Sequence, residues 1–225
     1  MELINKLKST FNVETIVELE RNEAYSFSIN WIKATKENPY HIIFTSGLSD
    51  SKQSDSSKYP EFEHIELYIC LPEYWKITDR SDENQWPIEW LNRIAQVPQK
   101  NNTWFGPGDT IPAGNPIAAI SSKFEQNYFI LAEPIKFEDQ LKEIRLNSRP
   151  VRFLSIIPIF EAEMLHKTKN SAKILMSKYI HTNLTEEIDE YRTSIIKNRR
   201  INLFMMVIIG LCLAVGLTIV FKLIL

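Results

Sequence analysis

Hydrophobic and polar residues alternate most clearly between positions 63 and 72. The apolar positions are spaced by two: Ile65, Leu67, Ile69 and Leu71. The positions between them are Glu66, Tyr68 and Cys70. This period predicts a β-strand with one face in a core, because successive side chains of a strand point to opposite faces. Pro72 is expected to end the strand, since proline cannot donate to a sheet ladder.

The pattern changes to a helical period after a tryptophan-rich corner. Three of the five tryptophans of the chain lie there: Trp75, Trp86 and Trp90. Pro87 fits the first turn of a helix, where its missing N–H costs nothing. The apolar residues that follow share one helical face: Ile88, Leu91, Ile94 and Ala95. We therefore expect a helix that begins at Pro87 and packs back on the sheet.

Other segments repeat these two periods. The predicted elements are a helix within residues 1–13, strands at 25–31, 40–45, 129–132 and 151–160, and a helix at 161–180. The strand at 25–31 alternates apolar residues with Ser26, Ser28 and Asn30, so one of its faces is expected to contact water. Residues 135–146 favour either a surface helix or an irregular strand. Asn183 and Glu186 have the spacing of a capping box, which predicts a further helix that reaches Arg200.

Composition and charge narrow the function classes. A chain of 225 residues can bury a sizeable core, and a hydrophobic content of 44% is typical of a folded protein. The formal net charge is −2, so there is no basic field that would hold nucleic acid. Cys70 and Cys212 are not expected to pair, because Cys212 lies in a very apolar segment. A reducing compartment fits this cysteine usage.

The C-terminal segment has the length of a membrane span. Residues 203–221 contain no charged residue, and at ~1.5 Å per residue their nineteen positions would extend over roughly 28 Å, about one bilayer core. A buried core helix is the alternative, but such a helix usually shows a polar stripe. We therefore predict a single transmembrane helix, represented by these anchoring residues: Leu203, Ile208, Leu213 and Val220.

Charges beside this segment predict its orientation. Lys197, Arg199 and Arg200 precede the apolar run, whereas only Lys222 follows it. Positive residues near a span favour its cytoplasmic side, so the domain is expected to face the cytoplasm as part of a single-pass, tail-anchored membrane protein. The predicted division is a folded domain at 1–182, a helical basic connector at 183–200 and the anchor at 201–225.

Four segments in fixed order resemble the Suppressor of fused domain family. They lie at residues 40–50, at 66–95, at 104–109 and at 151–165. The most characteristic pieces are Gly-Leu-Ser-Asp at residues 47–50 and Trp-Phe-Gly-Pro-Gly-Asp at residues 104–109. The resemblance covers residues 40–179, which is most of the chain before the apolar segment.

This resemblance implies an α+β fold, with a mixed, largely antiparallel central sheet flanked by helices. It also implies a binding module without known catalysis. Animal members hold zinc-finger transcription factors and need a second domain for that, for which this chain has no room. Small bacterial relatives are associated with toxin systems as immunity proteins. A membrane segment departs from the usual family plan, so the animal function is not carried over.

The long connection at residues 98–118 holds the candidate binding residues. Four prolines stiffen it, and it contains Trp104 and Phe105, which a merely solvated loop would not need. Rigid aromatic side chains suit a binding surface. We predict that Trp104, Phe105 and Asp109, together with Asp50, contact a partner. The alternative is that the two aromatic residues only anchor the loop on the core.

Catalytic and metal-binding patterns are weak. None of the four histidines lies in a His-Glu-x-x-His pattern and no Cys-x-x-Cys occurs, so no metal site and no cofactor are predicted. Cys70 as a nucleophile would need a partnering base. The leading hypothesis is a non-catalytic protein-binding module at a membrane, with a toxin as its partner. The alternatives are a membrane-tethered adaptor, or a hydrolase that uses Cys70 or a carboxylate.

Overall fold

An eight-stranded sheet forms the centre of this computed structural model, which describes residues 2–54 and 59–196. The strands are β1 (Val17–Asn22), β2 (Phe27–Ile32), β3 (Tyr40–Ser46), β4 (Ile65–Pro72), β5 (Thr110–Pro112), β6 (Tyr128–Ala132), β7 (Ile144–Leu146) and β8 (Arg149–Ile159). Their order is β1-β2-β3-β4-β8-β6-β5, and β7 pairs with β8. All pairs are antiparallel except β4 with β8. The predicted mixed, largely antiparallel α+β architecture is confirmed.

Five helices surround this sheet within the described residues. They are α1 (Glu2–Phe11), α2 (Asp82–Asn101), α3 (Glu138–Leu141), α4 (Glu161–Lys169) and α5 (Ala172–His181). In this part of the chain, no helix has the length and apolar character needed to cross a membrane. The residues predicted to anchor and orient the chain lie outside the described ranges: Lys197, Arg199, Arg200, Leu203, Ile208, Leu213 and Val220.

The central strand β4 is buried on both faces, whereas alternation predicted only one face in a core. All eight of its residues are buried, including Glu66. The leucine and isoleucine side chains pack with α2, and Tyr68 and Cys70 belong to a second cluster that includes Leu3 and Leu7 of α1. Glu66 and Tyr68 on the second face therefore need hydrogen-bond partners, and both have them.

The strand β2 corrects a similar expectation. Ser28 and Asn30 were predicted to face water, but both are buried. They line a cavity beside Leu3 and Ile4 of α1, which covers this end of the sheet. The Asn30 side-chain amide donates to Ser28 Oγ at 3.1 Å, which supplies a protein partner for the buried amide.

Helix α2 begins five residues before the predicted start. Ser81 is its N-cap residue, and Asp82 and Glu83 occupy the first turn, where acidic side chains interact favourably with the helix dipole. Pro87 therefore lies inside the helix. Trp86 explains the earlier start, because its ring is buried edge-on to Trp75 and to Phe124.

Two further helix predictions change in the structure. The single helix predicted at 161–180 is two helices, because Asn170 ends α4 and Ser171 starts α5 by accepting a hydrogen bond from the Ile174 N–H at 3.2 Å. The region 135–146 contains both of the predicted alternatives, α3 followed by β7.

The helix predicted from Asn183 is wrong for its described part. Residues 183–196 form an irregular segment, which we call the C-terminal strap. Glu186 does not cap a helix but is fully buried. Its carboxylate accepts hydrogen bonds from the Tyr68 hydroxyl at 3.0 Å and from the backbone N–H of Lys136 at 2.9 Å and Phe137 at 3.2 Å. Tertiary donors have therefore replaced the local helical ones.

Candidate partner-binding surface

The loop at residues 104–109 is held in place by hydrogen bonds to its backbone. The Gln53 side chain both accepts from the Phe105 N–H at 2.8 Å and donates to the Phe105 carbonyl at 2.9 Å. The Asp109 carboxylate accepts from the Gly106 N–H at 2.8 Å. The Gly108 N–H donates to the carbonyl of Leu131 in β6 at 2.6 Å. The loop is therefore a rigid border and not a loose connection.

The two predicted aromatic residues have different roles in this loop. Phe105 is buried in the main core, so it anchors the loop as the alternative interpretation proposed. Trp104 is only half-buried, and its ring lies 5.5 Å from that of Tyr59. A Cβ at Gly106 would come within 2.6 Å of the Trp104 ring, so glycine is needed there for the indole to fold over the backbone.

Gly108 brings the loop against helix α5. Its φ is +94°, a conformation that L side chains rarely adopt, and an added Cβ would lie 2.5 Å from the Cβ of Ala172. A small residue on each side allows the loop and the start of α5 to touch. The loop and α5 thus form two adjoining walls of one surface.

An open groove of about 970 Å³ lies between these walls and the segment that follows β6. Its apolar lining is Tyr59, Pro107, Ala132, Pro134, Ile135, Ala172, Met176 and Ile180. Ile180 is a large aliphatic side chain that stays 56% exposed here. Charged residues also line it, among them Glu133, Glu138, Lys142 and Lys173. A largely apolar groove that also carries polar side chains suits the binding of another protein.

The side chains of helix α5 lie in three different surroundings. Leu175 and Tyr179 are buried against the sheet. Met176 and Ile180, spaced by four residues, line the groove. Ile174, which is 46% exposed, does not line it. One helix therefore offers a matched pair of exposed isoleucines, one in the groove and one outside.

Asp50 is placed in a different region from the other predicted binding residues. It lines a polar cavity of about 670 Å³ together with Ser28, Asn30 and Arg149. Its carboxylate pairs with the Arg149 guanidinium at 3.2 Å, and the two side chains are 77% and 33% exposed. The structure thus brings Trp104, Phe105 and Asp109 together but does not bring Asp50 to them.

Glu66 organises the turn that contains Asp50, and sequence reasoning did not single it out. Its Oε1 accepts from the Gly47 N–H at 3.0 Å, the Ser49 N–H at 3.1 Å and the Ser49 hydroxyl at 2.7 Å. Its Oε2 contacts the Thr45 hydroxyl at 2.7 Å. Burial raises the pKa of Glu66 to about 7, although these donors oppose the rise. A proton on Glu66 fits on Oε2, because the Thr45 hydroxyl can then accept a hydrogen bond from Oε2 instead of donating one to it.

Cys70 lacks the surroundings of a nucleophile. Its side chain is fully buried in the cluster that also contains Tyr68 and Phe137. Burial raises the pKa of the Cys70 thiol well above its ordinary value, and the nearby Glu186 carboxylate adds to this rise. A protonated, inaccessible thiol is a packing residue and not a reactive one.

The C-terminal strap is held by a buried ion pair that sequence reasoning also missed. The Arg192 guanidinium makes two hydrogen bonds to the Glu163 carboxylate, at 2.7 and 2.8 Å. Glu163 also accepts from the Tyr179 hydroxyl at 3.0 Å and from the Ile195 N–H at 3.1 Å. Only the apolar period of α4 was visible in the sequence, and it does not identify an arginine 29 residues away as the partner.

Comparison with known proteins places this fold among described relatives. The family described as Suppressor of fused protein (SUFU) matches residues 23–193. A crystal structure of a protein described as a SUFU homologue from Neisseria gonorrhoeae has a TM-score of 0.65 at 16% identity, and the match covers 88% of this chain and 96% of that one. No curated protein sequence matches the chain.

Two further solved structures share the fold. One is the crystal structure of a Sufu–Fu complex, with a TM-score of 0.59 at 14% identity over 85% of this chain and 90% of that one. The other is Drosophila Suppressor of Fused, with a TM-score of 0.60 at 14% identity. That match covers 93% of this chain but only 53% of the Drosophila chain. At these identities the similarity establishes the fold alone.

Proposed function

The chain belongs to the Suppressor of fused family, because the family match spans more than half of its length, and from this premise we propose that it is a non-catalytic protein-binding module. The observation that carries the proposal is the groove between the 104–109 loop and α5. Its walls are rigid, its lining is largely apolar and the large Ile180 side chain in it is left exposed. Rigid walls favour binding, because little conformational freedom is lost when a partner docks.

Trp104 and Asp109 act at the edge of this groove in our proposal. Trp104 presents part of its ring beside Tyr59, and Tyr59 and Pro107 line the groove directly. Asp109 acts by holding the loop, since its carboxylate binds the Gly106 N–H. Phe105 contributes through the core, and Asp50 contacts a partner only if that partner also reaches the polar cavity.

The module is held at a membrane by residues 203–221 in the same proposal. The support is the nineteen-residue uncharged run and the basic residues before it, Lys197, Arg199 and Arg200. This charge distribution favours a cytoplasmic domain. A carbonate wash of membranes that carry the full chain tests the tether, since a spanning segment resists this wash, whereas release of the protein would contradict it.

The partner we propose is a protein toxin, which the module would neutralise as an immunity protein. The family resemblance suggests this role, and the described SUFU homologue from Neisseria shares the fold over 96% of its own chain. A membrane-tethered adaptor is the second candidate, and the chemical identity of a captured partner separates the two. A hydrolase that uses Cys70 is not supported, because the thiol is buried and its pKa is raised.

Two substitutions on one helix test the groove. The full chain in detergent serves as bait, its captured partner is identified and purified, and its affinity is then measured by calorimetry. Ile180→Arg introduces a charge into the groove and is expected to weaken binding about tenfold or more, because a desolvated anchor is worth over 1 kcal/mol. Ile174→Arg is the matched control, with similar exposure outside the groove, and is expected to bind normally. Equal affinities for the two variants would contradict the proposed site.

A further inference from the structure

The hairpin formed by α4 and α5 carries charge of one sign only between residues 164 and 182. Between Met164 and Thr182 there is no acidic residue, and there are four lysines: Lys167, Lys169, Lys173 and Lys178. Lys173 also lines the partner groove, whereas the other three do not. The lysine ion pairs among the described residues involve other positions: Lys52, Lys123, Lys136 and Lys142. In a chain whose net charge is −2, this concentration of positive charge has no described partner within the fold.

Large apolar side chains are exposed on the same hairpin. Leu165 of α4 is 55% exposed and Ile174 of α5 is 46% exposed. Neither lines the proposed partner groove. Lysines beside exposed aliphatic residues on a helix are typical of elements that lie in the interface of a bilayer, where the ammonium groups meet headgroups and the aliphatic side chains meet acyl chains.

The C-terminal strap brings the end of the described chain to this hairpin. Arg192 binds Glu163 of α4, and Ile195 and Ile196 pack against the cluster that contains Leu175. Leu203 begins the apolar run only seven positions after Ile196. Seven residues extend over at most roughly 25 Å, so Ile196, which packs beside the hairpin, must lie within that distance of Leu203.

We propose that the α4–α5 hairpin rests on the anionic headgroups of the bilayer that carries the chain, and thereby orients the partner groove. This inference rests on the membrane tether of the proposed function. The occupant is a lipid surface and not a protein, because the hairpin combines unpaired lysines, exposed aliphatic residues and closeness to the proposed span. Each lysine near an anionic surface is expected to shift the contact equilibrium about fivefold, or about 1 kcal/mol.

Hydrogen exchange of the full chain in nanodiscs tests the contact. One set of discs contains phosphatidylcholine alone and the other contains phosphatidylcholine with about one third phosphatidylserine. Backbone amides of residues 164–182 are expected to exchange more slowly in the anionic discs, while α1, on another part of the domain, exchanges equally in both. Equal exchange of the hairpin in the two sets would overturn the inference.

Two double variants, one as the test and one as the matched control, isolate the contribution of the hairpin lysines. Lys169→Gln with Lys178→Gln is expected to weaken the contact about 25-fold and to abolish the difference between the discs, because two fivefold terms are lost. Lys6→Gln with Lys36→Gln removes the same charge from exposed positions elsewhere and is expected to keep the difference. The same loss in both variants would mean that net charge alone acts, which would overturn a specific hairpin contact.

Failure of this inference is distinguishable from failure of the proposed function. If carbonate releases the full chain, the tether itself is wrong. If the chain resists carbonate and the hairpin shows no lipid dependence, the tether stands and only the hairpin contact is overturned. If Lys169→Gln with Lys178→Gln instead weakens capture of the protein partner in detergent, the hairpin is a protein interface and the lipid contact is overturned.

Discussion

Two buried glutamates hold two regions of this molecule in contrasting ways. Glu163 binds the C-terminal strap through Arg192, so a full positive charge faces the carboxylate. Glu66 holds the turn at residues 47–50 through hydroxyl and backbone N–H donors, without a described cation among its hydrogen-bond partners. Both side chains are completely buried, so solvent stabilises neither of them directly.

The difference teaches how burial and charge are reconciled in this fold. Arg192 compensates the buried charge of Glu163. Removal of either partner of this ion pair is therefore expected to be strongly destabilising. Glu66 has only dipoles, which compensate a charge less completely, and its pKa rises to about 7. The strap is therefore expected to depend on a specific side chain, whereas the turn is expected to depend on pH.

Removal of the arginine is the largest predicted effect. Arg192→Met is expected to lower the free energy of unfolding by about 3–5 kcal/mol, because it leaves the Glu163 carboxylate buried without its cation. Denaturant unfolding of the full chain in detergent measures this loss. The substitution should also speed hydrogen exchange, relative to the unsubstituted protein, more for residues 183–196 than for the central strand β4.

A control and a rescue sharpen this prediction. Lys169→Met removes an exposed positive charge from α4, the helix that carries Glu163, and is expected to change stability by no more than about 0.5 kcal/mol. Glu163→Gln combined with Arg192→Met should recover part of the loss, since no unpaired charge then remains. If Arg192→Met lowers the free energy of unfolding as little as Lys169→Met does, the Arg192–Glu163 ion pair contributes no more to stability than an exposed charge.

Elements with a strong period were predictable from the sequence, while their polar partners were not. The strands β3, β4, β6 and β8 and helix α1 have local patterns that identify them. The strap failed because Asn183 and Glu186 match a local capping signal, whereas donors from residues 135–137 and from Tyr68 bind Glu186 in the fold. A contact between residues about fifty positions apart leaves no local trace in one sequence.

The turn at residues 47–50 yields the next largest effect, a dependence of stability on pH. The pKa of Glu66 is about 7 in the folded protein against 4.5 for the unperturbed group. The folded state therefore holds more protons between these values, so stability falls as pH rises from about 4.5 to about 7. A rise of 2.5 pKa units, at about 1.36 kcal/mol each, corresponds to a loss of about 3 kcal/mol.

Glu66→Gln isolates this contribution from the other acidic groups. Glutamine keeps an acceptor for the Gly47 and Ser49 donors and offers an amide to Thr45 Oγ1, as the protonated acid would. The free energy of unfolding of the native chain, relative to this variant, is expected to fall by about 3 kcal/mol between pH 4.5 and pH 7. A relative stability that rises with pH would mean that Glu66 is ionised and favourably paired in the fold.

The candidate site was predictable in part for a related reason. Trp104, Phe105 and Asp109 lie in one stiff loop, so the sequence places them together. Asp50 shares the family resemblance with that loop, but its side chain lies in the other cavity because Glu66 folds the 47–50 turn toward the end of β4. Gln53 and Gly108, which fix the loop, carry no sequence signal beyond the turn preference of glycine.

A smaller effect is expected when Glu66 stays in place but loses one hydrogen-bond donor. Ser49→Ala removes the hydroxyl that donates to Glu66 Oε1 at 2.7 Å, while the Ser49 N–H still donates. Stability should fall by about 1 kcal/mol, because one hydrogen bond to a buried group is lost. The midpoint of the pH dependence should also move upward, since a donor that favours the charged form is gone. An unchanged midpoint would show that the hydroxyl does not stabilise the carboxylate.

The exposed ion pair at the same turn is expected to have the smallest effect on stability. Asp50 and Arg149 approach to 3.2 Å, but the Asp50 side chain is 77% exposed, so water already stabilises both charges. Asp50→Asn, Arg149→Gln and their combination should each change stability by less than about 1 kcal/mol, and added salt should reduce the coupling further. A double-mutant cycle by denaturant unfolding measures that coupling free energy. A coupling above about 2 kcal/mol would mean that this surface pair also holds the turn, and would contradict the expected difference between the buried and the exposed contacts.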